Sequence, residues 1–183
     1  MNPPAGLPDI SRLARWSVSS SKQGLGVANL LDSSTDTYWQ SDGHQPHTIA
    51  ITFPHRHQIH SISIYADYDR DESYTPCCIR ILSGTDQYDL QLLKEVHFDT
   101  EPRTWIHFPL SNDDTSDHSS SSSNSSVMAH HLHLVFPLNY ENGRDVRVRA
   151  VRLLGPPTNH EMFKRDKILP FTTPEFYMYD TLR

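Results

Sequence analysis

Apolar residues recur at every second position along much of this chain, and no long amphipathic helix separates one such run from the next. Ile49, Ile51 and Phe53 alternate with Thr48, Ala50 and Thr52, the period of a half-buried strand. His130, Leu132, Leu134 and Phe136 alternate in the same way with His131, His133 and Val135. Strands are expected around 58–66, 77–83, 89–97, 103–109, 129–136 and 146–154. Turn signals punctuate them at Ser83–Gly84, Glu101–Pro102, Asn142–Gly143 and Gly155–Pro156–Pro157. Parallel neighbours would need long crossover connections, usually helical, and the sequence offers none. The pattern predicts an all-β fold, an antiparallel β-sandwich. Periodicity leaves the strand order open.

Around this body the composition shifts. The Pro-rich lead, 1–15, is expected to be flexible apart from a helical turn near Ile10, Leu13 and Ala14. A second short helix is expected at Val27–Leu31, between Gly24 and Gly26 on one side and Asp32–Ser33–Ser34 on the other. The segment 111–126 holds a run of five serines, Ser119–Ser123, with Asp113, Asp114 and Asp117 and no apolar residue. Such a stretch buries too little surface to offset its ordering entropy, so it reads as a disordered insertion. One domain over 16–170 suits a chain of 183 residues. A tail, 171–183, follows it.

Charge and cysteine usage narrow the partners. The formal net charge is −6 and the 16 Lys and Arg are scattered, which argues against nucleic acid, whose phosphates demand clustered cations. The nearest basic stripe, Arg144, Arg147, Arg149 and Arg152, reads as the solvated face of a strand. No apolar run approaches the roughly 18 residues that span a bilayer, and Met1–Ile10 lacks the basic and apolar regions of a signal peptide. The cysteines, Cys77 and Cys78, are adjacent and form no disulfide framework, which suits a reducing, intracellular compartment.

The chemistry-bearing residue types do not assemble into an enzyme. Two histidine groups, His55–His57–His60 and His130–His131–His133, are dense, but zinc wants three or four converging ligands. His131 and His133 are expected on the solvent face of their strand, so no metal and no cofactor is expected. Asp71 and Glu72 are adjacent, and in an extended loop their carboxylates diverge, unlike the paired acids of a glycosidase. There is no Gly-X-Ser-X-Gly elbow and no phosphate-cradling glycine loop.

Binding loops are the stronger signal. Ser41–Pro46, Asp67–Tyr74 and Asn139–Asp145 each adjoin a strand, and they are placed to gather at one end of the sandwich, where binding residues commonly sit on a rigid scaffold. They carry acids, the amide of Asn142 and the rings of Tyr68, Tyr74 and Tyr140. Such a set suits a peptide bearing Lys, Arg or exposed amides, and equally a sugar. Trp16 and Trp39 are read as core anchors.

Three separated stretches, Thr37–Gly43, Tyr65–Pro76 and Asn142–Asp145, resemble the DOC-domain family in wording and order, and the resemblance runs from about Trp16 to Arg183. The family's best-known member is the small processivity subunit of the anaphase-promoting complex, a multisubunit ubiquitin ligase. The resemblance implies the jelly-roll version of the sandwich, related to galactose-binding and discoidin folds. It implies a non-catalytic co-receptor for the destruction-box degron, acting with a WD40-repeat activator in nucleus and cytoplasm. The positions it would turn toward the degron are Asp71, Glu72, Asn139, Tyr140, Asn142, Arg144 and Asp145. Family members end in Ile-Arg, a tail that docks on a helical-repeat (TPR) scaffold subunit. Here Leu182 and Arg183 stand at those positions. On the residues alone, an intracellular carbohydrate-binding module is the rival reading.

Overall fold

A computed structural model describes residues 7–32, 34–110 and 126–156. Among them are ten strands: β1 (Arg15–Val18), β2 (Trp39–Gln40), β3 (His47–Ile59), β4 (Ser61–Asp67), β5 (Pro76–Gly84), β6 (Gln91–His97), β7 (Arg103–Pro109), β8 (Val127–Asn139), β9 (Arg147–Val148) and β10 (Ala150–Leu154). They form a five-stranded sheet in the order β1-β3-β8-β5-β6, a three-stranded sheet β10-β4-β7 and a short pair β2-β9. Every pairing is antiparallel, so the molecule is the expected sandwich.

The alternation in β3 and β8 sets the register, because a slip of one residue would turn each apolar set outward. Ile49 stands opposite Leu134 and Ile51 opposite Leu132. With Ile79, Ile81 and Phe136 these residues cover the inner face of the larger sheet, and Ile62, Ile64, Phe108, Val151 and Leu153 belong to the same buried core. The pairing of β3 with β8 breaks between Thr52 and His57. Pro54, which has no N–H to give to the ladder, lies inside that irregularity.

Three expectations change. The strand expected over 58–66 is divided: β3 runs to Ile59, and β4 begins at Ser61 in the other sheet. His60 is the corner, its N–H donating to Leu154 O and its carbonyl accepting from Leu110 N. Second, the strand expected over 146–154 is divided as well, into β9, which pairs with β2, and β10, which pairs with β4. Third, the described part of the expected flexible lead is packed down. Ile10 N donates to Leu153 O at 2.8 Å, Ser11 Oγ accepts from Leu153 N at 2.8 Å, and Ile10 is buried. The helical turns fall at Ser11–Leu13 and Val27–Leu30 as 3₁₀ segments. Trp16 and Trp39 are core, as expected: Trp39 Nε1 donates to Ser20 O and Trp16 Nε1 to Ser11 O. The serine-rich insertion, apart from Ser126, and the tail with Leu182 and Arg183 lie outside the described residues. No described helix is long and apolar enough to cross a membrane.

Candidate functional site

At one end of the sandwich the three expected loops are laced together by backbone and side-chain hydrogen bonds. After β4 the chain makes one helical turn, α1 (Tyr68–Asp71), and a 3₁₀ turn, Glu72–Tyr74; after β8 it makes another, Tyr140–Asn142. Tyr140 N donates to Thr75 O at 3.0 Å. Gly143 lies so close to the other loop that a Cβ there would come 1.8 Å from Ser73 O, so glycine is required by contact. The loop before β3 joins through Gln45, whose Nε2 donates to Gly143 O at 2.9 Å. His47 Nε2 bonds Arg144 O at 2.7 Å, and Ser41 and Val146 exchange two hydrogen bonds.

Below this junction lies a buried charge pair. Arg149 Nε donates to Asp71 Oδ2 and Nη2 to Asp71 Oδ1, both at 2.7 Å. The two residues are 3% and 2% exposed. Arg149 Nη1 also donates to Thr35 O at 3.0 Å, tying in the segment before β2. Arg147 stands above the pair, 4.1 Å from the centroid of Tyr74 and 4.7 Å from that of Tyr38, and donates to Gln40 Oε1. These arginines are therefore not a solvated strand face. Val148 and Ala150 flank Arg149 and are also buried, and the carboxylate of Asp71, with the carbonyl of Thr35, makes a buried guanidinium tolerable there.

The residues expected to face a degron divide into supports and presented groups. Asp71 has both oxygens bound by Arg149 and no open surface; it positions the loop instead of contacting a ligand. Asn139 is a support as well: it is buried, and its Nδ2 donates to Gly143 O at 3.0 Å and Asp145 O at 2.7 Å, holding the following loop closed. Tyr140 is half-buried, edge-on to Tyr68 with centroids 5.3 Å apart, and its hydroxyl donates to Phe98 O at 3.3 Å. Asp145 is half-buried beside Arg144. Glu72, Asn142 and Arg144 are exposed, the Arg144 side chain to 72%.

Two of the presented residues, Glu72 and Asn142, stand on constrained backbone, as does Glu141. Glu72 has φ 47 and ψ −124, and Glu141 and Asn142 have φ of 52 and 56. Non-glycine residues take such values rarely, at about 1–3 kcal/mol each, and cluster at functional sites when they do. Beside them Tyr68 Oη donates to Glu141 Oε1 at 2.8 Å. The tyrosine pKa is pushed up to about 12, first by that hydrogen bond, then by desolvation and the charge of Glu141. Burial raises Tyr140 as well.

The two histidine groups take separate partners. His57 is buried and stacked on Phe53 at 5.1 Å, and His131 bonds Thr52 Oγ1. His133 is half-buried, which lowers its pKa.

A family model described as anaphase-promoting complex, subunit 10 (APC10), matches residues 5–181. The anaphase-promoting complex subunit 10 of Dictyostelium discoideum is 41% identical over 177 residues, 96% of this chain and 86% of that one. The proteins of the same name from Schizosaccharomyces pombe and Homo sapiens are 36% and 35% identical, over 97% and 96% of this chain and 89% and 88% of theirs. Among solved structures, the family 32 carbohydrate-binding module of C. perfringens NanJ, in complex with galactose, superposes with a TM-score of 0.62 at 10% identity, over 80% of this chain and 98% of that one. A second, CpGH89CBM32-5 in complex with GalNAc-β-1,3-galactose, reaches 0.63 at 10% identity, over 81% and 100%. At that identity the likeness carries the fold alone, a galactose-binding, discoidin-like β-sandwich.

Proposed function

The chain belongs to the anaphase-promoting complex subunit 10 family, and from that membership we propose that it is a non-catalytic substrate-recognition and processivity subunit of this ubiquitin ligase. It acts as co-receptor for the destruction-box degron together with a WD40-repeat activator, in nucleus and cytoplasm. The observation that carries this reading is the laced loop end. Glu72, Asn142 and Arg144 are exposed there on a junction held by Asp71–Arg149, Asn139 and Gly143. A peptide docked on so rigid a rim loses little to loop ordering on binding.

The mechanism is bivalent. The rim holds the degron while the tail, through Leu182 and Arg183, anchors the subunit on a helical-repeat scaffold protein. An aliphatic side chain beside a guanidinium makes a compact anchor for a groove between helical repeats. Tethering raises the effective concentration of a weakly held substrate, and the gain appears as a slower off-rate. More ubiquitins are then added per encounter.

The test has two arms. Affinity purification from native cells compares the full chain with one lacking Leu182 and Arg183; the ligase should come down with the first and less with the second. In a ligase reconstituted with Asn142→Ala/Arg144→Ala, assembly should be intact and ubiquitin chains on a destruction-box substrate shorter. Recovery of no ligase by the full chain would overturn the subunit reading, and unchanged chain length in the double variant would overturn the site.

A further inference from the structure

On β5 and β6, the last two strands of the larger sheet, three ligand types meet that the sequence keeps apart. Cys78 of β5 stands opposite His97 of β6, and Arg80 stands opposite Glu95. Two-residue spacing along each strand puts all four on one face of the sheet. Cys78 Sγ lies 3.6 Å from His97 Nε2 and 3.9 Å from Glu95 Oε1, and those two atoms are 3.0 Å apart. Among the described residues this is the one grouping of three potential metal ligands of these types with all donor atoms within 4.8 Å.

These separations match a single tetrahedral zinc. With Zn–S about 2.3 Å and Zn–N and Zn–O about 2.0–2.1 Å, three vertices of the tetrahedron stand about 3.6 Å (S–N), 3.5 Å (S–O) and 3.3 Å (N–O) apart. Each observed distance is within about 0.4 Å of its counterpart. We propose that Cys78, Glu95 and His97 form a zinc site, with three protein ligands and a fourth vertex open to water or to a donor atom from a partner.

The surroundings fit that assignment. Arg80 donates through Nε to Glu95 Oε2 at 2.9 Å and through Nη2 to Oε1 at 3.2 Å, fixing the carboxylate as outer partners of metal ligands commonly do. Oε1 accepts only the longer of these two bonds and keeps its second lone pair for the metal. Cys78 is fully buried while the His97 side chain is 62% exposed, so the thiol sits at the floor and the metal enters past the imidazole. A thiol and an imidazole favour zinc over magnesium or calcium, which take oxygen ligands. On zinc uptake the Cys78 thiol proton passes to solvent and the thiolate bonds the metal. Cys77, one residue earlier, belongs to the other face of the strand and takes no part. Zinc would clamp β6, the last strand of its sheet, onto β5.

The experiment uses the full chain, reduced and freed of metal, titrated with Co²⁺ and then Zn²⁺. The expected result is one Co²⁺ per chain with a thiolate-to-cobalt charge-transfer band that one equivalent of Zn²⁺ removes. Cys78→Ser abolishes the band and Cys77→Ser keeps it. His97→Asn, at an exposed position that folding tolerates, weakens zinc binding by about tenfold or more. Glu95→Gln provides a second decision should Cys78→Ser fail to fold, and it should also weaken binding. Absence of the band from the native chain overturns the site, as does a band that survives Cys78→Ser or is lost with Cys77→Ser. Zinc affinity unchanged in both His97→Asn and Glu95→Gln does the same.

Discussion

Asp71 and Arg149, 78 positions apart in sequence, meet as a buried pair joined by two hydrogen bonds of 2.7 Å. The guanidinium comes from the residue between β9 and β10, and the carboxylate ends the helical turn that follows β4. Their meeting fixes where the Glu72–Tyr74 turn stands against the body of the sandwich.

Breaking one side of this pair strands a charge in the interior. Asp71→Asn or Arg149→Met should each cost about 3–5 kcal/mol. The double variant should cost less than the two singles combined, with a coupling of about 1–3 kcal/mol. Denaturant unfolding curves of the four proteins measure it, and strict additivity would show that the pair does not act as a unit.

Gly143 answers for the contact between two loops. Gly143→Ala forces a methyl group against Ser73 O, where a Cβ would stand at 1.8 Å, so the loops must part. The expected loss is about 1–3 kcal/mol in stability, with ubiquitin chains shortened even where the protein remains folded. Thermal melts and a chain-extension assay on the same preparation check it.

Supports and presented residues should separate by measurement. Asn139→Ala leaves the carbonyls of Gly143 and Asp145 without their shared donor and should cost about 1–3 kcal/mol. Asn142→Ala and Arg144→Ala, both exposed, should change stability by no more than about 0.5 kcal/mol while weakening degron binding. Equal destabilisation by all three would remove the distinction.

The Tyr68–Glu141 bond gives a pH signature. Because the folded-state pKa is raised to about 12 above an unfolded value of about 10, the bond's stabilisation is complete below about pH 10. It is lost as pH rises through the folded value. Ultraviolet titration should show Tyr68 ionising well above the ordinary tyrosine range, and Glu141→Gln should bring it down toward the ordinary value. An unaltered titration in that variant would show that Glu141 does not set the shift.

Much of this was legible from order alone. Period-two alternation in β3 and β8 gave the strands and their buried faces, because a half-buried pleat leaves that mark on any sequence. The three loops were legible as a set because each adjoins a strand and is rich in acids, amides and tyrosine. Arg149 was misread, since an arginine between apolar residues looks solvated until a distant carboxylate is brought to it. Cys78, Glu95 and His97 escaped notice because cross-strand pairing, and not sequence spacing, puts them side by side. The packed lead at Ile10 and Ser11 was hidden for the same reason, its partners lying in β10.

What the sequence determined by itself is therefore whatever depends on neighbours along the chain: strand period, turn chemistry and the residue types each loop presents. Only the tertiary structure decided which of those residues face solvent and which are tied up inside. Asp71 and Asn139 became supports, and Glu72, Asn142 and Arg144 became surface, because a partner 78 positions away took up the first and the fold of the following loop took up the second. Burial and pairing are properties of the packed sheets, and a strand's own residues do not encode what the next sheet will place against them.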